Sequence, residues 1–258
     1  MLNKLFHDTG TLIKFTFKRE RISTPIWIIC IVALTLIVGA VLPTLYTSGV
    51  DRQVMAETMK NPAMVAMLGP AYGADNYTNG AMMSQMMLLF TIIGVALMNI
   101  FLVVRHTRKD EEEGRVELVR SLPVGRLSNL TAIIVVAIIA NLIIAVLTGL
   151  GLFALKIESM DLAGSLMYGA VLGVSGILFA GITALFCQLA STSRGANGYS
   201  FAFLGLMYLI QMGRSKQSSI ILYFTTYIGY ESTGVCCKLY LANISNIIVS
   251  GDIFISSI

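Results

Sequence analysis

Residues 129–155 read NLTAIIVVAIIANLIIAVLTGLGLFAL, a run of 27 residues without one charged side chain. About 20 apolar residues in a helix cross the roughly 30 Å hydrocarbon core of a bilayer, so this stretch predicts a transmembrane helix. Backbone polar groups in lipid must form hydrogen bonds within their own segment, which a helix allows. The stretch therefore places the chain among helical membrane proteins.

Apolar runs of similar length lie on both sides of this stretch. The predicted spans are residues 24–46, 82–104, 129–155, 162–189 and a shorter 199–212. The composition agrees, because 56% of the 258 residues are hydrophobic and only 12% are charged, about half the charge of a soluble domain. The sequence predicts an all-α transmembrane helix bundle within residues 1–212, with a short turn at residues 191–198.

Positive charges alternate between the connections and so predict the orientation. Lys and Arg number five in residues 1–21, two in the 50–80 loop, six in residues 105–126 and one in each later turn. Because cytoplasmic loops carry the positive excess, we expect a multi-pass protein of the plasma membrane with a cytoplasmic N-terminus. Residues 2–21 mix apolar and basic side chains, which predicts an interfacial helix on the membrane surface.

Motifs for catalysis or for cofactor binding do not occur. The sequence has neither G-x-x-x-x-G-K-[ST] for phosphate nor H-E-x-x-H for a metal. His7 and His106 lie in separate charged segments, where we expect them to be solvated. We therefore predict that the chain is not an enzyme and has no catalytic, cofactor or metal site. The positive charges flank apolar spans, which disfavours a nucleic-acid partner, and the spans lack the ionisable residue typical of a gradient-driven carrier.

A few residues are weak candidates for a substrate path. Asn99 and Asn141 are amides at membrane depth, where an interhelix hydrogen bond is the alternative role. Met64 and Met67 belong to a series of Met residues that recur at near-helical spacing in the 50–80 loop. They either pack a short helix on the bundle or line a path for an apolar substrate, since Met is flexible and polarizable. A stripe of small residues beginning at Gly169 permits close helix contact, within the chain or between subunits.

Residues 105–126, the charged island, read RHTRKDEEEGRVELVRSLPVGR. Good helix formers and oppositely charged pairs such as Arg108–Glu112 predict a short helix from about Arg108 to Val119. Such a helix could dock in a partner's groove, because its charges would determine register and orientation. The alternative is a solvated hairpin between two spans.

The island resembles that of type-2 ABC exporter permeases of the polyketide-antibiotic (tetronasin-type) resistance kind. NPAMVAMLGP at residues 61–70 and SRGANG at residues 193–198 resemble two further motifs of that family. The resemblance implies a separate ATP-binding cassette subunit docked on a short cytoplasmic coupling helix formed by the island. Residues implied to contact that subunit are Arg108, Asp110, Glu111, Glu112, Gly114, Arg115, Glu117 and Arg120.

Family chains often contain two six-span halves, so the resemblance implies pairing with a second permease half or a homodimer. Residues 213–258 depart from the family pattern. Back-translation of residues 223–226 and 235–244 permits family-like strings one base later, which suggests a frameshifted or truncated tail. Sequencing the gene around codon 212 tests that idea.

The function predicted from the sequence is the permease subunit of an ATP-driven exporter. The apolar walls favour a hydrophobic drug, antibiotic or lipid-like small molecule as substrate. Two alternatives stay open at this stage. One is a non-transporting scaffold or receptor that recruits a cytoplasmic partner, and the other is an inactive permease fragment.

Overall fold

The computed structural model describes residues 9–68, 77–114, 128–157 and 160–213. These residues form helices and connections, without a strand among them. The helices are α1 (Thr9–Arg19), α2 (Ser23–Leu45), α3 (Gly49–Met59), α4 (Pro62–Leu68), α5 (Asn79–Val104), α6 (Asp110–Glu112), α7 (Ser128–Ala154), α8 (Leu162–Leu189) and α9 (Ser193–Gly213). One π-helical turn, Arg105–Lys109, joins α5 to α6.

Four of the described helices are long and apolar enough to cross a membrane: α2, the continuous helix Asn79–Glu112, α7 and α8. The prediction of an all-α membrane helix bundle is therefore confirmed. The 50–80 loop contains the two short helices α3 and α4. The tail after residue 213 lies outside the described residues, so the frameshift hypothesis stays a prediction.

Helix α2 buries only a narrow stripe. Its buried residues recur at helical spacing: Ile28, Ile31, Thr35, Gly39 and Leu42. The helix contacts α5 and α7, while large apolar side chains such as Ile29 and Ile37 are exposed. A helix that is apolar on its exposed face as well as its buried face is suited to contact with lipid.

Helix α8 packs on both α7 and α5. Its contact with α7 requires glycine, because a Cβ at Gly169 would lie 2.1 Å from the backbone oxygen of Ala145. A Cβ at Gly176 would lie 1.9 Å from Asn141 Oδ1. At these positions the small-residue stripe therefore serves packing within the chain. Nothing lies within 4 Å of the corresponding point at Gly181.

Helix α9 begins at Ser193, so residues 193–198 are helical where the sequence predicted a turn. The glycines and small polar residues suggested a turn, but two side chains cap the first turn of the helix. Thr192 Oγ accepts from Gly195 N at 3.1 Å, and Glu112 accepts from Ser193 N at 2.7 Å. Satisfying these first amides favours the helix, and Glu112 is remote in sequence.

The helix Asn79–Glu112 is longer than a bilayer requires. Its 34 residues correspond to about 51 Å at 1.5 Å per residue, compared with the roughly 30 Å hydrocarbon core. The charged residues lie at its C-terminal end. Residues 105–114, here called the α5 extension, therefore form a charged segment beyond the predicted span 82–104, and they lie beside the end of α1 and the α8–α9 turn.

Candidate functional site

The α5 extension is held to the end of α1 by a charged pair. Arg19 donates to both carboxylate oxygens of Asp110, with a distance of 2.7 Å from Nη2 to Oδ1. Asp110 is buried, with only 7% of its surface exposed. A two-point contact between a guanidinium and a carboxylate specifies orientation as well as distance. This contact therefore joins the end of α1 to the α5 extension, while the rest of α1 packs on α7.

A second contact lies beside it and centres on His106. His106 Nε2 is 2.6 Å from Glu20 Oε1, and Nδ1 is 3.7 Å from Asp110 Oδ2. Glu20 also accepts from Thr24 Oγ at 2.9 Å and lies 3.3 Å from Arg105. His106 is only 3% exposed, so the expectation that it is solvated is wrong. Its environment is set by Glu20, which is remote in sequence, together with Asp110 on the same helix face.

The carboxylates favour the charged form of His106. Burial alone would lower its pKa, but the nearby Asp110 and Glu20 carboxylates outweigh that effect and raise the pKa above its usual value. For Asp110, burial acts to raise the pKa, yet His106 and Arg19 lower it to about 2. The pKa of Glu20 is likewise lowered, because its partners outweigh desolvation. We refer to Arg19, Glu20, His106 and Asp110 as the ionic cluster.

The π-helical turn carries His106 and Thr107 into the buried side of the extension. Thr107 Oγ donates to the Val103 backbone oxygen at 2.7 Å. Such a hydroxyl competes for a carbonyl of the preceding turn, which is a local contribution to the irregular helix. The widened turn lies where the apolar span ends and the charged segment begins.

Two further island residues contact the α8–α9 turn. Arg108 donates to the backbone oxygens of Cys187 and, at 3.4 Å, Gln188. Glu112 accepts from both the backbone nitrogen and the hydroxyl of Ser193, and these hydrogen bonds lower its pKa. The predicted Arg108–Glu112 pair is replaced by a contact of Arg108 with Glu111 at 2.6 Å.

The remaining described island residues lie at the surface. Lys109, Glu111 and Glu113 are exposed. The helix ends at Glu112, earlier than predicted, and Gly114 has a φ of +70°, a conformation that favours glycine. The predicted contact residues Arg115, Glu117 and Arg120 lie outside the described residues. The extension therefore combines a side fixed to the bundle with a charged, solvent-accessible surface.

The predicted path residues lie elsewhere. Asn99 and Asn141 are fully buried and exchange two hydrogen bonds, at 3.0 Å and 2.8 Å. Each amide also donates to its own helix, at 2.8 Å in both cases. Met64 is half-buried and Met67 is 49% exposed on α4, a helix that contacts α5 and α9. Their role in a substrate path stays a prediction.

Sequence reasoning missed Arg19, Glu20 and His106 as members of a site. One signal was available, because His106 and Asp110 are four residues apart and share a helix face. Nothing local indicated that this face would meet the end of α1.

Comparison with known proteins gives two findings. Residues 11–219 match the family described as "Multidrug efflux system permease Rv1217c, C-terminal domain". The chain is also 34% identical over 207 residues to the "Multidrug efflux system permease protein Rv1217c" of Mycobacterium tuberculosis (strain ATCC 25618 / H37Rv). The alignment covers 79% of this chain but only 36% of that relative, so the chain spans about a third of the relative's length.

Proposed function

The chain belongs to the family of multidrug efflux permeases defined by that C-terminal domain, and from this premise we propose that it is the membrane-spanning subunit of an ATP-driven exporter. A separate ATP-binding cassette subunit supplies the energy and docks on the α5 extension. The extension lies on the cytoplasmic face of the plasma membrane in this proposal, and the N-terminus lies on the same side.

The proposal rests on one observation about the α5 extension: some of its charged side chains are exposed, and others contact the bundle. Lys109, Glu111 and Glu113 are exposed, whereas Asp110 and Glu112 contact other parts of the bundle. A segment with exposed charges of both signs can recognise a partner by complementary charge. Because the same segment is attached to α1, α8 and α9, a partner that moves it acts on several helices at once.

The substrate class follows from the apolar helices and from the name of the relative. We propose a hydrophobic drug, antibiotic or lipid-like molecule, with polyketide antibiotics of the tetronasin type as the first to test. A complete translocation path requires either a second permease half or a second copy of this chain. Alternating access then results if the partner binds the inward and outward states with different affinities, as ATP-linked coupling requires.

Charge reversal at Lys109 tests the docking site. The chain is co-expressed with a candidate P-loop ATPase from the same genome, and the ATPase captured per permease is measured in neutral detergent. We expect Lys109→Glu to weaken capture by about tenfold, corresponding to about 1.4 kcal/mol, because a charge at the contact changes sign. Lys60→Glu is the matched control, since Lys60 is also exposed but lies at the end of α3, in the 50–80 loop.

Equal capture by the wild type and the Lys109→Glu variant would count against this docking surface. Absence of any bound ATPase activity in the wild type would sink the exporter proposal. Capture without ATP hydrolysis that responds to substrate would instead favour the scaffold alternative.

A further inference from the structure

Arg108 and Glu112 contact opposite sides of one short turn. The turn consists of residues 190–192, between the end of α8 and the start of α9. Arg108 donates to the Cys187 and Gln188 backbone oxygens at the end of α8. Glu112 accepts from Ser193 N, at 2.7 Å, and from Ser193 Oγ at the start of α9.

The signs of the two charges match the two helix ends. The C-terminus of a helix carries unpaired carbonyls and a partial negative charge, which favours a cation such as Arg108. The N-terminus carries unpaired amides and a partial positive charge, which favours a carboxylate such as Glu112. Residues four apart lie on one face of a helix, so a single face of the α5 extension contacts both ends.

These contacts separate Glu112 from the exposed docking residues. Both of its carboxylate oxygens are engaged by Ser193, although the side chain lies at the surface. Likewise, two of the three nitrogens of the Arg108 guanidinium are directed to the carbonyls at the end of α8. The resemblance implies that both residues contact the partner; within this chain both also contact the two helix ends.

We propose that Arg108 and Glu112 are positioning residues that join the α5 extension and the α8–α9 turn into one mechanical unit, here called the clamp. When the extension moves, the end of α8 and the start of α9 therefore move with it. The source of that displacement rests on the proposed function, but the existence of the clamp does not. The clamp stays closed while the transporter changes state.

Cysteine cross-linking tests whether the clamp is closed. Glu112→Cys and Ser193→Cys are combined in a chain whose native cysteines are replaced by serine, and disulfide formation is followed in membranes. We expect near-complete cross-linking under mild oxidation. Lys109→Cys with Ser193→Cys is the matched control and should cross-link at least tenfold more slowly. Similar rates for the two pairs would overturn the proposed contact.

The cross-linked protein also tests whether the clamp stays closed during transport. We expect the oxidised pair to export several-fold more than the reduced pair, because the reduced pair lacks the Glu112 carboxylate and the disulfide restores the connection to Ser193. Loss of efflux that a reductant restores would show that the clamp must open, which overturns the inference.

A comparison of capture with efflux tests the positioning role. We expect Glu112→Ala to reduce efflux at least tenfold while ATPase capture and ATP hydrolysis stay near wild type, so that hydrolysis is uncoupled from transport. Glu112→Gln should retain more efflux than Glu112→Ala, since its amide oxygen can still accept from Ser193 N. Glu57→Ala is the control, since Glu57 is an exposed carboxylate on α3 and has no part in the docking surface or the clamp.

The outcomes distinguish the two proposals. Reduced capture by Glu112→Ala would make Glu112 a partner contact, and unchanged efflux would make the clamp dispensable. Either result overturns the inference. If the wild type binds no ATPase, the proposed function fails, while the cross-linking rates still decide whether the clamp exists.

Discussion

Two polar contacts among the described residues, the Asn99–Asn141 pair and the ionic cluster, lie at different depths and are built differently. The Asn99–Asn141 pair lies inside the membrane-spanning region and consists of two neutral amides with 0% exposure. The ionic cluster lies at the end of the spans and contains charged side chains from α1 and the α5 extension. Both join helices that are distant in sequence, but only one uses charge.

The difference reflects the cost of burying charge. A charged group deep in a bilayer is costly, whereas a neutral amide can satisfy its hydrogen bonds with another amide and with helix carbonyls. At the membrane edge, partial burial strengthens an ion pair while nearby water limits the cost of desolvation. The contact deep between packed helices is therefore a neutral pair. The ionic contacts lie at the edge of the bundle, where protons can reach their charged groups.

The first test of this comparison concerns the buried contact between α7 and α8, where we expect the largest loss of stability. Gly169→Ala would place a methyl group 2.1 Å from a backbone oxygen of α7, so the two helices must separate. We expect a loss of about 3 kcal/mol or more in the free energy of unfolding, measured by denaturant titration in detergent. Gly181→Ala, in open space on the same helix, should change stability by less than about 0.5 kcal/mol.

The neutral pair is the next test. Asn99→Leu leaves the buried amide of Asn141 without its interhelix partner, and we expect a cost of about 2 kcal/mol by the same titration. The double variant Asn99→Leu with Asn141→Leu removes both polar groups, so it should be more stable than either single variant. Additive losses would show that the two amides are not coupled.

The sequence could predict the features of the bundle that depend on local properties. Four long helices follow from apolar runs of 20 or more residues, because length and hydropathy are local properties. The possibility that Asn99 and Asn141 bond between helices also follows from residue type and depth. Their pairing with one another does not, because it depends on the register between α5 and α7.

The contacts of the α5 extension were harder to predict, because they also depend on residues that are distant in sequence. The start of helix α9 is stabilised by Thr192 and by Glu112, and Glu112 lies 81 residues earlier than Ser193, whose amide it accepts from. His106 is buried because Glu20, 86 residues earlier, lies against it. Local propensity could not anticipate either contact, and both follow from the long α5 helix reaching beyond the membrane.

Titration of His106 tests the ionic cluster. We expect it to change the free energy of unfolding less than the substitutions above. Because Asp110 and Glu20 raise its pKa in the folded protein, its contribution is fully present below its ordinary pKa of 6.5 and is lost as pH rises through the raised pKa. Asp110 and Glu20 have lowered pKa values, so their contributions decline only in acid. We expect a loss of about 1 kcal/mol between pH 6 and pH 9, the scale of one hydrogen bond, measured by unfolding in neutral detergent.

The variant His106→Gln isolates this effect from every other titrating group. Glutamine can still donate to Glu20 but carries no charge, so its stability should be lower at pH 6 and nearly flat up to pH 9. The neutral pair offers an internal comparison, because Asn99→Leu should retain the wild-type pH dependence while lowering stability at each pH. If His106→Gln instead keeps the full decline with pH, the charge of His106 does not stabilise the contact between α1 and the α5 extension, which then depends on the Arg19–Asp110 and Arg105–Glu20 pairs.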